Sequence, residues 1–285
     1  MDATRTEDLQ RWLNRSESRH DVVGPTPVAA LGATLDRDDP APAAGDALPP
    51  LWHWLFFLPL HRLSASGRDG HADRGDFLPP VALPRRMWAG SRVAFHRPLR
   101  IGDAMQRISR VRDVQFKEGR SGSLVFVVVR HEISVGGVVA LTEEQDIVYR
   151  EAPRPGQVVP APAACPATPA WMRAIEPDPV LLFRYSALTF NSHRIHYDRP
   201  YATGVEGYPG LVVHGPLIAT MLVDLLRRHR PGAVMTHFAF RAVSPLFDVA
   251  PFSVCGSPDE TGGTIRLWAG NAQRELAMDA TATLA

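Results

Sequence analysis

The sequence predicts an α+β chain of two halves, each helical or loop material followed by several antiparallel strands. Three observations carry that expectation. The segment opening at His214-Gly215-Pro216 reads as a helix that is apolar nearly all round, through Leu217, Ile218, Met221, Leu222, Val223, Leu225 and Leu226. A helix with so little polar surface has to be buried, wrapped by a sheet. Runs of strand character joined by turn signals lie on both sides of it. Between residues 151 and 170 six prolines stand among alanines, an extended linker that splits the chain nearly in half. The expected organisation is residues 1–150, a linker over 151–170, and residues 171–285.

Taken in order, Thr6 to Ser16 reads as a short amphipathic helix with Leu9, Trp12 and Leu13 on one side. Pro25 to Leu35 reads as another, and Asp36 to Pro50 as a loop. Leu51-Trp52-His53-Trp54-Leu55-Phe56-Phe57-Leu58 is the densest aromatic cluster, either plain core or the lining of a pocket for an apolar ligand. Ser64 to Gly90 is punctuated by Gly and Pro and reads as loop, with Arg85, Arg86 and Trp88 in it. Strands follow over Ser91 to Phe95, Met105 to Phe116, Ser123 to Val135 and Val138 to Arg150, the middle pair joined by a hairpin at Lys117 to Gly122. The last holds Glu143-Glu144-Gln145-Asp146, which suits a sheet edge or a carboxylate facing a site or an interface. In the second half, strands are expected over Val180 to Ala187, Val234 to Val243, Phe252 to Gly256, Thr264 to Ala269 and Glu275 to Thr283. Phe95-His96-Arg97-Pro98-Leu99 and Ala242-Val243-Ser244-Pro245-Leu246 both end a strand in Pro-Leu, a faint echo of duplication.

With 31 basic and 30 acidic residues, the chain carries no charge excess that would draw it to nucleic acid. Two cysteines, Cys165 and Cys255, make no disulfide framework and fit a reducing, cytoplasmic setting. Met1 to His20 lacks the apolar core of a signal peptide. Leu51 to Leu60, the longest greasy run, is broken by His53 and Pro59 and is too short to span a bilayer, so no membrane partner is expected.

Chemistry concentrates between Phe190 and Arg228. Phe190-Asn191-Ser192-His193-Arg194-Ile195-His196-Tyr197-Asp198 packs two histidines, an amide and a carboxylate into nine residues. A turn-rich loop with Glu206 and Tyr208 follows, and then the helix, whose start offers unsatisfied N–H groups, Gly215's among them, to developing negative charge.

Thr189 to Asp198 resembles the T-F-N-x-H-x-I-H-Y-D segment of one branch of the MaoC-like, R-specific enoyl-CoA hydratases. That branch comprises the mesaconyl- and itaconyl-CoA hydratases and the mitochondrial-type 3-hydroxyacyl-thioester dehydratases. The resemblance covers most of residues 50–285. It implies a double hotdog: two domains, each a helix wrapped by a curved antiparallel sheet. It also implies a hydro-lyase acting on an acyl-CoA or acyl-carrier-protein thioester, with no cofactor beyond the CoA of the substrate, no metal, and room for a homodimer. Placed on the wider family's D-x-N-P-x-H motif, His196 falls on the base, Asn191 on the aspartate and His193 on the asparagine. Gly215 falls on the glycine whose amide faces the thioester oxygen. The catalytic set implied is Asn191, His196 and Gly215.

An amide cannot exchange protons, so Asn191 leaves the second proton site open among His193, Asp198 and Glu206. Candidates for holding the substrate are Arg85, Arg86, Arg184, Arg194, Tyr208 and His214. For a distal carboxylate Arg184, Arg194 and Arg241 come into question. Rival readings are a zinc site on His193, His196, Asp198 and His214, a non-catalytic thioester binder, an acyl-carrier-protein dehydratase, and a thioesterase of the same fold.

Overall fold

The computed structural model describes residues 9–73, 77–119, 122–151, 161–166 and 168–285. The first half contributes β1 (Ser16–Val22), α1 (Pro25–Thr34), β2 (Arg85–Phe95), β3 (Ala104–Gly119), β4 (Gly122–Val135) and β5 (Val138–Arg150). The second contributes β6 (Trp171–Ile175), α2 (Pro179–Leu188), α3 (Arg199–Gly204), α4 (Gly215–His229), β7 (Met235–Ala242), β8 (Phe252–Pro258), β9 (Thr264–Asn271) and β10 (Leu276–Leu284). Their strands form one antiparallel ten-stranded sheet in the order β1-β3-β4-β5-β2-β7-β10-β9-β8-β6. Five strands come from each half, and β2 against β7 is the seam.

The Pro-Leu echo sits at that seam. Arg92, three residues before Phe95, pairs with Ala239, three residues before Ala242. A local twofold relating the two motifs requires that pairing. The turns beyond them repeat as well. His96 and Arg97 N–H both donate to the Ala140 carbonyl, as Val243 and Ser244 N–H do to Ala277. Leu48 N–H donates to Leu99 O at 2.7 Å, and Val213 N–H to Leu246 O at 2.8 Å.

That last correspondence shows where the halves part. After Val213 the chain enters α4, in which every residue from Leu217 to Leu226 is buried, against β6, β8, β9 and β10. After Leu48 it makes only a 3-10 turn, Trp52–Leu55. Leu51 and Phe57 on either side take φ of 69° and 56°, a left-handed backbone that no α-helix passes through. The turn drops Trp52, Leu55, Phe56 and Phe57 into an apolar core shared with Leu182, Leu217 and Leu222 of the second half. A smaller cluster, Val111, Val125, Val127, Val129 and Tyr149, lies in the first half alone.

Several elements differ from the sequence reading. Val180 to Ala187 is helical, because Asp178 caps α2 through its side chain on Leu181 N–H and Pro179 suits a first turn. Residues 85–90, read as loop, begin β2, with an irregularity between Trp88 and Gly90. The helix expected over Thr6 to Ser16 lies partly outside the described residues, and its last residue already belongs to β1. The tip of the Lys117 to Gly122 hairpin and half of the 151–170 linker also lie outside the described residues.

The polar run on β5 is not at an edge. β5 pairs with β4 on one side and β2 on the other. Glu144 and Asp146 meet Arg92 on the outer face, while Glu143 points inward and is 2% exposed. Its carboxylate accepts from Ser91 Oγ (2.8 Å) and Trp54 Nε1 and lies 3.1 Å from His53 Nε2. Burial pushes the Glu143 carboxyl up, but the bond to His53, the charge of that ring and the Ser91 hydroxyl bring it to about 2. A second buried carboxylate, Asp224 on α4, meets Arg37 from the first half (2.6 Å), Arg173 on β6 (3.1 Å) and Arg228 one turn on (2.7 Å).

Candidate active site

The segment after α2 is shaped by its own polar side chains. Asn191 Oδ1 accepts from His193 N–H at 3.0 Å, and Asn191 N–H donates back to Ser186 O at 2.8 Å. The turn so formed leads into a 3-10 turn, Arg194–His196, which buries His196. His196 Nδ1 stands 2.7 Å from the Val212 carbonyl. A carbonyl only accepts, so Nδ1 carries the proton and Nε2 is the basic nitrogen. Among the described residues Nε2 has no hydrogen-bond partner. Burial pushes the imidazole down to about 4, so it is neutral, and able to take a proton, at ordinary pH.

The ring of His196 stacks on that of His214 with centroids 3.7 Å apart. His214 is the residue immediately before α4, so the stack sets His196 against the helix start. No side chain caps that start. A Cβ added to Gly215 would meet nothing within 4 Å, which leaves open space beside the free N–H. A basic ring nitrogen and a free backbone N–H therefore share one corner, the pair that general base–oxyanion chemistry uses.

His214 itself is wholly buried, with Nε2 2.8 Å from Ser186 Oγ and Nδ1 without a partner. Expected to touch substrate, it instead supports the base from beneath. Two candidates for the second proton site are also otherwise engaged. Asp198 caps α3 through Tyr201 N–H and pairs with Arg194 at 2.7 Å, and these contacts push its carboxyl below the usual range. Glu206 pairs with Arg85 (3.1 Å) and accepts from Tyr201 Oη (3.2 Å). Arg85 lies over the Tyr208 ring and is spent on holding this loop.

Arg194, paired with Asp198 and lying over Tyr201, is likewise committed. Arg184 on α2 and Arg241 on β7 are exposed. Arg86 is half-buried on β2, its charge helps push His193 down, and it has no ion pair among the described residues.

The four residues of the zinc reading do not converge, since Asp198 is held by Tyr201 and Arg194. Among the described residues, three possible ligand atoms come within 4.8 Å of one another only at Asp69, His71 and His193. Asp69 and His71 belong to a loop of the first half that the sequence reading passed over, as it did Ser186 and the Val212 carbonyl.

Paired five-stranded halves, one buried helix and a histidine at its N-terminus define a double hotdog with the corner of an acyl-thioester hydro-lyase. The profile described as hydroxyacyl-thioester dehydratase type 2 matches residues 51–248. The chain belongs to that family. It is 48% identical, over 97% of its own length and 98% of the relative's, to a mesaconyl-C(4)-CoA hydratase of Chloroflexus aurantiacus. Among solved structures it superimposes on a MaoC-like dehydratase with a TM-score of 0.69, at 16% identity over 97% of this chain and 99% of that one. A Mycobacterium tuberculosis protein described as a double hotdog gives 0.60, at 12% identity over 96% of each chain. These two likenesses bear on fold alone.

Proposed function

We propose that the chain adds water across the 2,3 double bond of a short enoyl-CoA derived from a dicarboxylic acid, of the mesaconyl-CoA or itaconyl-CoA type. The observation that carries this is the held tautomer of His196 beside the uncapped start of α4. His196 Nε2 takes a proton from water as its oxygen attacks C3, and Gly215 N–H steadies the enolate oxygen. The Asn191 amide NH2, whose oxygen is already used by His193 N–H, donates to the attacking water. The same groups run the dehydration of a 3-hydroxyacyl thioester in reverse. Identity along nearly the whole length of a mesaconyl-C(4)-CoA hydratase supports the acyl group and CoA as carrier. Arg86 is the cation we assign to the distal carboxylate.

No cofactor enters this scheme beyond the CoA of the substrate. In this reading residues 1–150 shape the acyl pocket and the frame, 151–170 act as linker and 171–285 carry the catalytic motif. Among the described residues no helix is long and apolar enough to cross a membrane, and a cytoplasmic homodimer completes the reading. The test is turnover of crotonyl-CoA and mesaconyl-C(4)-CoA by the purified protein and by Arg86→Ala. We expect the variant to raise KM for the dicarboxylate-derived thioester about tenfold, the loss of one charge-assisted contact, with crotonyl-CoA little affected. No turnover of either substrate by the parent overturns the reaction, and an equal effect on both overturns the role of Arg86.

A further inference from the structure

Hydration needs a second proton position, because C2 must receive a proton after water has added to C3. Asp198 and Glu206 are held by other partners, and Asn191 cannot exchange protons. The structure brings a different pair to the place. His71 Nδ1 stands 3.0 Å from Asp69 Oδ2, and His71 N–H donates to Asp69 Oδ1 at 3.0 Å. The His71 ring packs on His193 with centroids 4.1 Å apart, and His193 meets His196 edge-on at 5.4 Å.

The loop that carries this pair is fastened to the segment that carries the base. Arg194 N–H donates to Asp69 O at 2.9 Å, Arg194 Nη1 to Arg68 O at 3.1 Å, and Ser192 Oγ to Gly70 O. Gly70 has φ of 91°, and a Cβ there would stand 1.9 Å from Ser192 O. Only glycine allows so close an approach. Of the three rings in the row, His71 is the one with a carboxylate on its Nδ1–H. Such a carboxylate fixes the imidazole tautomer and stabilises the imidazolium. Burial and the neighbouring rings push His193 and His196 the other way.

We propose that His71, held by Asp69, is the second proton-transfer group of the hydration and stands in for the acid that Asn191 cannot be. The assignment rests on the hydratase reading above. His196 Nε2 takes the proton of water as the C3–O bond forms, and the C2=C3 electron pair moves onto the thioester oxygen at Gly215 N–H. That pair then returns to form the C2–H bond with the proton of the His71 imidazolium. Exchange with water resets both rings. The first half would thus supply half of the acid–base chemistry.

The test uses the full chain with Asp69→Asn and His71→Gln, crotonyl-CoA and mesaconyl-C(4)-CoA as probes, and D2O as solvent. We expect His71→Gln to lower kcat about a hundredfold with KM little changed. Its residual product should carry its single C2 deuterium divided between the pro-R and pro-S positions, whereas the parent places it in one. Asp69→Asn should move the basic limb of the kcat/KM profile to lower pH, because the imidazolium loses its carboxylate. Both rest on His71 acting at C2, and a merely structural role would change neither the labelling nor the limb. Retained C2 stereospecificity or a parental rate in His71→Gln overturns the assignment. So does zinc bound in stoichiometric amount and lost with activity to a chelator, which would make the three side chains a cation site. A parent that hydrates neither probe removes the hydratase reading, and this assignment with it.

Discussion

The two halves share one sheet and one twofold, yet at equivalent points one builds α4 and the other a four-residue turn. After Val213 a long helix opens and presents free N–H groups, with His196 stacked on His214, the residue just before it. After Leu48 the backbone turns left-handed at Leu51, and aromatic side chains fill the core. Each half also buries a cluster of titratable groups, and these serve different ends. In the second half the imidazoles lack carboxylate partners and are pushed down by burial. In the first half Glu143 gathers His53, Trp54 and Ser91 round a carboxylate. The difference teaches how burial can leave one cluster open beside a helix start and close another on its own partners.

That contrast can be broken most sharply at His196. His196→Ala should lower kcat/KM on an enoyl-CoA about a hundredfold or more, the usual cost of a lost general base, with the thermal midpoint nearly unchanged. A large fall in Tm would instead make His196 a structural residue. Asp224→Ala strikes the junction, because one buried carboxylate holds arginines from both halves. Leaving Arg173 and Arg228 without that partner, and Arg37 with Asp39 alone, should cost about 3 kcal/mol, or about 6 °C in Tm for a chain of this size, read by calorimetry. A shift under a degree would show the two halves independent there.

The smallest effect concerns acid. Glu143 has a folded pKa near 2, below its ordinary value, so its stabilisation is present above about 4.3 and lost as pH falls through about 2. His196 and His131, both pushed down to about 4, act earlier, and His193 and His214, pushed lower still by burial, go on acting as the pH falls. The unfolded chain protonates each near 6.5 and the folded chain does not, so stability falls as pH drops from about 6.5 toward 4. Urea midpoints between pH 7 and 3 should fall in these two stages. Glu143→Gln should cost about 1 kcal/mol at pH 7, make the lower stage shallower, and leave turnover intact. An unchanged lower stage would remove Glu143 from the account.

Much of this was legible in the sequence, for identifiable reasons. The buried helix is written in an unbroken apolar face, and strands β3, β4 and β5 in their alternation and turns. The candidate segment stands out because its polar residues are close in the chain. What failed depended on distance or context. Val180 to Ala187 looks like a strand if one counts apolar residues, and the Asp178-Pro179 cap was the cue that decides otherwise. Glu143 looked odd, but its partner His53 lies ninety positions away. Asp69 and His71 sit among glycines in a segment with no periodicity, and only the docking of that loop onto Ser192 and Arg194 gives them meaning.

The seam between β2 and β7 has a consequence for how such a molecule can change. In an assembly of two identical chains, every substitution appears twice, so a residue that shortened one helix would shorten both and abolish both sites. Joining the two units in one polypeptide lifts that constraint. The copy without a reactive corner can drift: its helix collapses, its loops lengthen, and one of them reaches across to the surviving corner. Inheritance in a single reading frame is thus what permits one half to become a specialised accessory to the other.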